Sequence, residues 1–260
     1  MNVLDLFSGI GGFSLGLERA GMRTVAFCEP NRHCRVVLAR HWPKVARFKD
    51  VRFLNAAKLK PFAPIHVICG GFPCQDVSGA QLTEKKLGLE GSRSGLWSEL
   101  YRLIGELRPL YAVVENVAAL LERGLGTVLG DLAALGYDAE WHCIPASAIG
   151  APHRRDRIWI IAYPFREGRK GPIASLDLSQ PGPWGWRGEE DLRAIADAPF
   201  TAGDRWPEPL LRRMDDGDRY RAYRLHALGN AVVPEIPEII GRAILEAEAM
   251  TQRHQYVSLP

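Results

Sequence analysis

With 260 residues, 47% of them hydrophobic, and a formal charge of +3, the chain suits one large domain, or one domain with a modest insertion, and can bury a sizeable core. The mildly basic balance permits a nucleic-acid partner without arguing for one. No apolar run approaches a membrane span, Asp5 interrupts the first apolar run where a signal peptide would continue, and the odd number of cysteines, five, points to reduced thiols in a cytoplasm-like compartment. No Cys-x-x-Cys pair suggests zinc, and the spacing of His66 and Cys69 stands without a partner pair, so no metal is expected.

In chain order, Asn2 to Phe7 reads as a strand, Ser8 to Gly12 as a glycine-rich turn, and Phe13 to Ala20 as a helix stopped by Gly21. Thr24 to Cys28 is a second strand ending at Glu29-Pro30, and Asn31 can cap a helix that runs toward His41. Arg47 to Val51 is a short, weaker strand with Asp50 near its end. Ile65 to Cys69 is a clear strand that leads into Gly70-Gly71-Phe72-Pro73-Cys74-Gln75. Ser94 to Leu107 is a helix closed by Pro109, Tyr111 to Val114 is a strand ending in the carboxylate of Glu115, and two short helices follow to Leu135. Asp138 to Ile144 and Arg157 to Tyr163 are two more strands. Residues 164–223 are rich in proline, glycine, tryptophan and charge and show no sustained periodicity, which marks an irregular insertion or a small second domain. Regular structure returns from Leu228 to Pro234, and a helix from Pro237 to Ala249 completes the fold. Strands alternating with helices predict an α/β chain with a mostly parallel sheet and helices on both faces, of Rossmann-like type.

Such folds bind ligands at the carboxyl ends of their strands. The glycine turn, Glu29, Asp50, Cys74 and Glu115 all fall there. A glycine turn after a first strand lets the backbone approach a ligand, and an acid one strand-helix-strand unit later sits where ribose hydroxyls are bound. Ser14 replaces the third glycine of a dinucleotide fingerprint, which favours a nucleoside-type cofactor without a pyrophosphate. The turn can equally serve packing. Cys74, just past a buried strand and behind glycine and proline, is placed like a nucleophile, which needs an electropositive setting that Arg154, Arg155 and Arg157 can supply. An inert buried thiol and a solvated arginine loop are the competing readings. Glu115 is either a general acid or a cap for the next helix.

Five segments, in order, resemble the motif set of the DNA cytosine-5 methyltransferases: Asp5 to Phe13, Gly71 to Gln75, Glu115-Asn116-Val117, Arg155-x-Arg157, and Gly229 to Val232. The resemblance covers Asn2 to Tyr163 and Arg224 to about Ala249. It implies S-adenosylmethionine as methyl donor. Phe7, Gly9, Ile10, Gly11 and Gly12 would cradle the methionine part, Glu29 would hold the ribose with Pro30 beside it, and Asp50 and Val51 would line the adenine pocket. Pro73 and Leu96 would also contact the cofactor, and Asn230 and Ala231 would close the methionine end. Cys74 would be the nucleophile and Glu115 the acid, while Arg157 and Arg155 would position the base and the catalytic loop, with 76–93 as a lid over DNA.

The resemblance further implies double-stranded DNA as partner, with Gln75, Ser78 and Arg93 as contacts near the site; in the insertion Trp184, Trp186, Arg187, Arg205, Trp206, Arg212, Arg213 and Arg219 are candidates for DNA contact, the tryptophans alternatively forming a small local core. It divides the chain into a catalytic domain (1–163), a short target-recognition region (164–223) and a C-terminal segment (224–260) that rejoins the catalytic domain. A monomer in the cytoplasm of a bacterium or phage-infected cell, working beside a cognate restriction endonuclease, is the expected setting. His153 stands where the family usually has glutamine, and the insertion is short for its role. A tRNA methyltransferase of the same fold is disfavoured by Gln75. A non-catalytic DNA-binding relative is disfavoured by the complete motif set, and a nucleotide-binding oxidoreductase by Ser14 and by the Cys74–Glu115 pair.

Overall fold

The computed structural model describes residues 1–73, 95–146, 156–166, 172 and 231–257, the side chains of 123 and 252–257 excepted. Seven strands form one sheet in the order β3-β2-β1-β4-β5-β7-β6. They are β1 (Asn2–Leu6), β2 (Arg23–Cys28), β3 (Ala46–Phe48), β4 (Val67–Gly71), β5 (Tyr111–Val117), β6 (Tyr137–Pro145) and β7 (Asp156–Pro164). The first five are parallel, and β7 inserts antiparallel between β5 and β6. Among the described residues the α-helices are α1 (Gly12–Arg19), α2 (Arg32–His41), α3 (Ala56–Leu59), α4 (Leu96–Leu107), α5 (Leu120–Arg123), α6 (Leu125–Ala134) and α7 (Glu235–Val257). No described helix is long and apolar enough to cross a membrane.

Side chains of successive strand residues alternate between the two faces. Leu4, Leu6, Ile68, Val114, Ile158 and Ile160 pack with Trp97, Leu100 and Leu103 of α4 and Val128 and Leu132 of α6. Val3, Val67, Val113, Trp159 and Ile161 pack on the other face with Phe13 and Leu17 of α1 and Ile236, Ile240 and Ile244 of α7. The last three recur at helical spacing, and each buried isoleucine contributes roughly 1.5–3 kcal/mol. That burial brings the end of the chain back onto its first helix. At Gly16 a Cβ would run into the Pro234 carbonyl oxygen, so the two helices meet backbone to backbone. Helix α1 stops as expected: Gly21 has φ 105°, and Met22 N–H reaches back to the Leu17 carbonyl at 3.0 Å. Asn31 caps α2 by accepting from the N–H groups of His33 (2.8 Å) and Cys34 (3.4 Å).

Several expected boundaries move. The strand expected at Arg47 to Val51 is Ala46–Phe48, and Asp50 instead caps a 3-10 turn, Val51–Phe53. The strand expected from Ile65 begins at Val67 and runs on to Gly71. Strand β5 does not end before Glu115 but continues to Val117, because β4 pairs with it on one side and β7 on the other. The C-terminal helix runs eight residues past Ala249, to Val257. Nearly all of the 164–223 region lies outside the described residues.

Candidate active site

The parallel strands end in register, so the residues that leave them form a row. Leu6 pairs with both Cys28 and Gly70, and Gly71 pairs with Glu115. One half of the site is built at β1 to β3, the other at β4, β5 and β7.

In the first half the chain turns sharply after β1. Phe7 has φ 53°, Gly9 φ 53° and Gly11 φ 93°. Glycine adopts this left-handed region freely, whereas phenylalanine is strained there and persists only where its surroundings fix it. Here the half-buried Phe7 packs against the core. A Cβ at Gly9 would meet nothing within 4 Å, so the turn leaves open room at that point. At Gly11 a Cβ would lie 2.6 Å from the Trp42 ring, which stands beneath the turn, held by Nε1 donating to Glu18 at 2.8 Å. A Cβ on Gly12 would strike the Val232 carbonyl oxygen, so the segment containing Ala231 lies over the start of α1.

Glu29 joins this turn to the next. Its buried carboxylate accepts from Gly9 N–H through Oε2 (2.8 Å) and from Asn31 N–H through Oε1 (2.7 Å). A carboxylate offers about four lone-pair positions, so about two remain for a ligand. Pro30 follows it directly and is exposed. Ile10, within the turn, is half-buried. At β3, Asp50 accepts from Arg52 N–H (3.0 Å) and forms an ion pair with the Arg52 guanidinium (2.7 Å), which holds its carboxyl below the usual range. Val51 is buried, and Arg102 of α4 pins its turn by donating to the carbonyls of Val51 (3.2 Å) and Leu54 (2.7 Å). Leu96 opens α4 and packs half-buried on the core.

Below the turn lies Asp5, fully buried. Its Oδ2 accepts from Ser14 Oγ at 2.7 Å, while Oδ1 is buried with no hydrogen-bond partner. Burial pushes this carboxyl up to about 7, against the opposing effect of the Ser14 and Ser8 hydrogen bonds. Ser8 Oγ donates to the Asp5 carbonyl at 2.6 Å, so the strand end and both sides of the turn are tied to one residue. Cys69, the register partner of Asp5 on β4, is raised well above its usual value by burial and by the Asp5 charge, which makes it an inert thiol.

In the second half, a Cβ on Gly71 would lie 2.6 Å from Glu115 Oε2, so this glycine makes room for the carboxylate of its neighbour. Glu115 Oε1 and Arg157 Nε are 2.8 Å apart, and both side chains are largely buried. Asn116, nearly inaccessible, donates from Nδ2 to the Phe72 carbonyl (3.1 Å) and accepts from Val117 N–H through Oδ1 (2.8 Å). Phe72 in turn packs on Trp97, ring centroids 5.4 Å apart, and Trp97 donates to Asp131 at 2.9 Å. The backbone is thereby held on both sides up to Pro73, which is exposed.

The structure thus brings Phe7, Gly9, Ile10, Gly11, Gly12, Glu29, Pro30, Asp50, Val51 and Ala231 to one half of the row, and Pro73, Glu115 and Arg157 to the other. Cys74, Gln75, Ser78, Arg93, Arg155, Arg187, Arg205, Arg212, Arg213, Arg219 and Asn230 lie outside the described residues. Sequence reading missed Asp5, Trp42, Arg102 and Asn116. Of these Asp5 and Asn116 carried a local signal, their places in the Asp5 to Phe13 and Glu115-Asn116-Val117 segments. The others act through partners far off in the chain.

Residues 1–181 match the model of a family described as C-5 cytosine-specific DNA methylase. A Type II methyltransferase of Bacillus subtilis, M2.BsuMI, is 35% identical over 189 residues, 70% of this chain and 46% of that protein. The Type II methyltransferase M.Sau3AI of Staphylococcus aureus is 32% identical over 179 residues, covering 63% of this chain and 43% of its own length. The chain spans about half the length of the curated relatives it matches. Among solved structures, an E. coli prophage protein described as a DNA modification methyltransferase superposes with a TM-score of 0.53 at 33% identity, over 63% of this chain and 47% of its own. The Dnmt2 methyltransferase of S. pombe superposes with a TM-score of 0.56 at 20% identity, over 70% of this chain and 55% of its own, a likeness of fold.

Proposed function

The chain belongs to the C-5 cytosine-specific DNA methylase family and has the Rossmann-like methyltransferase fold, and from that premise we propose that it methylates C5 of a flipped-out cytosine in double-stranded DNA, through a covalent bond between Cys74 and C6. The observation that carries this reading is the arrangement at the end of β4. Glu115 and Arg157 face the space beside Gly71, and Asn116 fixes the backbone from which Cys74 departs. Cys74 stands three residues after Gly71 in the chain, which bounds its backbone to at most about 11 Å from that glycine.

The first half of the row fits S-adenosylmethionine. The turn is open at Gly9, Glu29 keeps acceptor capacity for ribose hydroxyls, and the buried wall at Val51 suits an adenine. When bound, this group supplies an electrophilic methyl. Phe7 and the Gly9 to Gly12 turn hold its methionine part, with Asn230 and Ala231 closing that end and Pro30, Pro73 and Leu96 beside it.

Cytosine C5 is a poor nucleophile in the intact ring. The Cys74 thiolate attacks C6, and the electron pair displaced through the ring is met by a proton from Glu115 at N3, which leaves C5 able to take the methyl. Arg157 stabilises the charge that builds at O2, with Arg155 supporting it. A base, most simply an ordered water, then removes the C5 proton, and Cys74 leaves as thiolate. Because C5 and C6 are stacked in a duplex, the base must be flipped out. Gln75, Ser78 and Arg93 contact DNA near the site, and the arginines of 164–223 supply sequence readout. The designation of the relatives as Type II methyltransferases supports a cognate restriction endonuclease as partner.

The test is transfer of a radiolabelled methyl from S-adenosylmethionine to DNA and, in parallel, to tRNA. Label in DNA alone, mapped to C5 of cytosine at one sequence by bisulfite sequencing, is the expected result. Label in tRNA alone overturns the substrate assignment.

A further inference from the structure

Positive charge is concentrated in one part of this chain. Between Asn31 and His66 stand nine Lys and Arg residues and one acid, Asp50, a formal +8, against +3 for the whole chain. The remaining residues together therefore carry −5. The basic segment comprises α2, β3 and the turns up to β4, and β3 is the terminal strand, so the charge lies on the open edge of the sheet.

Some of these cations serve the fold. Arg35 donates to the carbonyls of Glu29 and Pro30, Arg47 to those of Trp42 and Val45, and Arg52 pairs with Asp50. Lys58 donates to the Phe53 carbonyl and Lys60 follows α3, both exposed; the other four exposed cations divide by sheet end. Arg32 opens α2 just past the carboxyl end of β2, and Lys49 follows β3, beside the point where Glu29 N–H donates to the Phe48 carbonyl at 3.0 Å. Arg40 and Lys44 sit where α2 has returned to the amino ends. Lys44 there shares a cavity with Asn2 and Arg23, the first residues of β1 and β2. Arg32 is also ill placed for stability, since a cation in the first turn of a helix opposes the helix dipole, and this turn contains no acid. Its position suits an external anion.

We propose that Arg32 and Lys49 bind phosphates of the DNA flank, about three and about four base pairs, respectively, to one side of the flipped cytosine. The distances follow from the topology. Two strand spacings separate β2, which Arg32 follows, from β4, and three separate β3, which Lys49 follows, roughly 10 and 14 Å at about 4.8 Å each, and one base pair rises about 3.4 Å. This inference rests on the proposed function. It adds a contact surface on the catalytic domain itself, apart from the lid and from 164–223, and so extends the footprint of a chain whose recognition region is short.

The test is fluorescence anisotropy with a duplex of about 30 base pairs over a range of salt, for wild type, Arg32→Ala/Lys49→Ala and Arg40→Ala/Lys44→Ala. Each phosphate contact contributes about 0.9 to the slope of log affinity against log salt, so the first variant should lose about 1.8 from the slope and bind several-fold more weakly. The second variant should keep the wild-type slope. Affinity for S-adenosylmethionine, measured by calorimetry, should be the same in all three. Equal losses in both variants, or an unchanged slope in the first, overturn the proposal. Wild-type methyl transfer to the same DNA reports separately on the proposed function, whose failure would show as no transfer at all.

Discussion

Glu115 and Arg157 meet across antiparallel strands, Oε1 to Nε 2.8 Å, although in register Glu115 faces Trp159 and Arg157 faces Val117. The pair therefore runs diagonally over the end of β5, against Gly71. In the reaction proposed, both groups turn to the base: the acid to N3, the guanidinium to O2. Glu115→Gln keeps the shape and an acceptor for Arg157 but has no proton to give as an acid. Turnover should fall by at least ~100-fold, the lower range for general acid catalysis, with DNA binding retained. Near-normal turnover in single-turnover kinetics would show that Glu115 is positional.

Glu29 is doubly engaged before any ligand arrives, through the Gly9 and Asn31 N–H groups. Glu29→Ala removes the ribose acceptor and releases both turns. Hydrogen bonds to charged groups are worth roughly 1.5–3 kcal/mol each, so S-adenosylmethionine should bind more weakly by at least a factor of ten. Calorimetry checks this, and unchanged affinity refutes the ribose assignment.

Asn116 gives a different signature. Its Nδ2 holds the Phe72 carbonyl, two residues before Cys74, and its Oδ1 accepts from Val117 N–H. Asn116→Ala should lower kcat by about 10- to 100-fold through misplacement of the nucleophile. The affinity for S-adenosylmethionine should be unchanged. Equal losses in both would mark a general folding defect instead.

Asp5 makes stability depend on pH. Its carboxyl is pushed up from 3.8 to about 7 by burial, so the folded state holds the proton more tightly than the unfolded one. The contribution is fully present below the lower value and is lost as pH rises toward the upper one, with a limiting slope of about 1.4 kcal/mol per pH unit. Asp5→Asn keeps an acceptor for Ser14 and cannot ionise. Urea melts at about pH 5 and about pH 8 should show wild type losing a few kcal/mol relative to the variant. Parallel losses would mean that Asp5 does not titrate in this window.

The parallel strands and their end residues were legible because apolar runs stop at glycine, proline and acids, as at Glu29-Pro30 and Gly70-Gly71. What pairing adds was not. Glu115 reads as the end of a strand because the apolar run stops at Val114, yet ladders to Gly71 and Trp159 carry the strand on to Val117. Asp50 reads as a strand residue, but its side chain is satisfied by Arg52 in a tight turn. The left-handed glycines were legible as a turn. The need for Gly11 to be a glycine was not, since it is set by Trp42, 31 positions later. Cofactor-half residues were thus named from their motif, whereas the groups that hold them from afar, Trp42 and Arg102, depend on contacts that spacing does not encode.

The central claim is the covalent step at Cys74, and DNA in which 5-fluorocytosine replaces cytosine tests it most directly. Fluorine at C5 cannot leave as a proton does, so after methyl transfer the enzyme should stay bonded to C6. The adduct should require S-adenosylmethionine, survive denaturation and map by peptide mass to Cys74. Cys74→Ser should abolish it, because a hydroxyl is far less ionised than a thiol. Serine at Cys28, Cys34, Cys69 or Cys143 should leave trapping intact. An adduct on another cysteine, or efficient methylation by Cys74→Ser, would contradict the account.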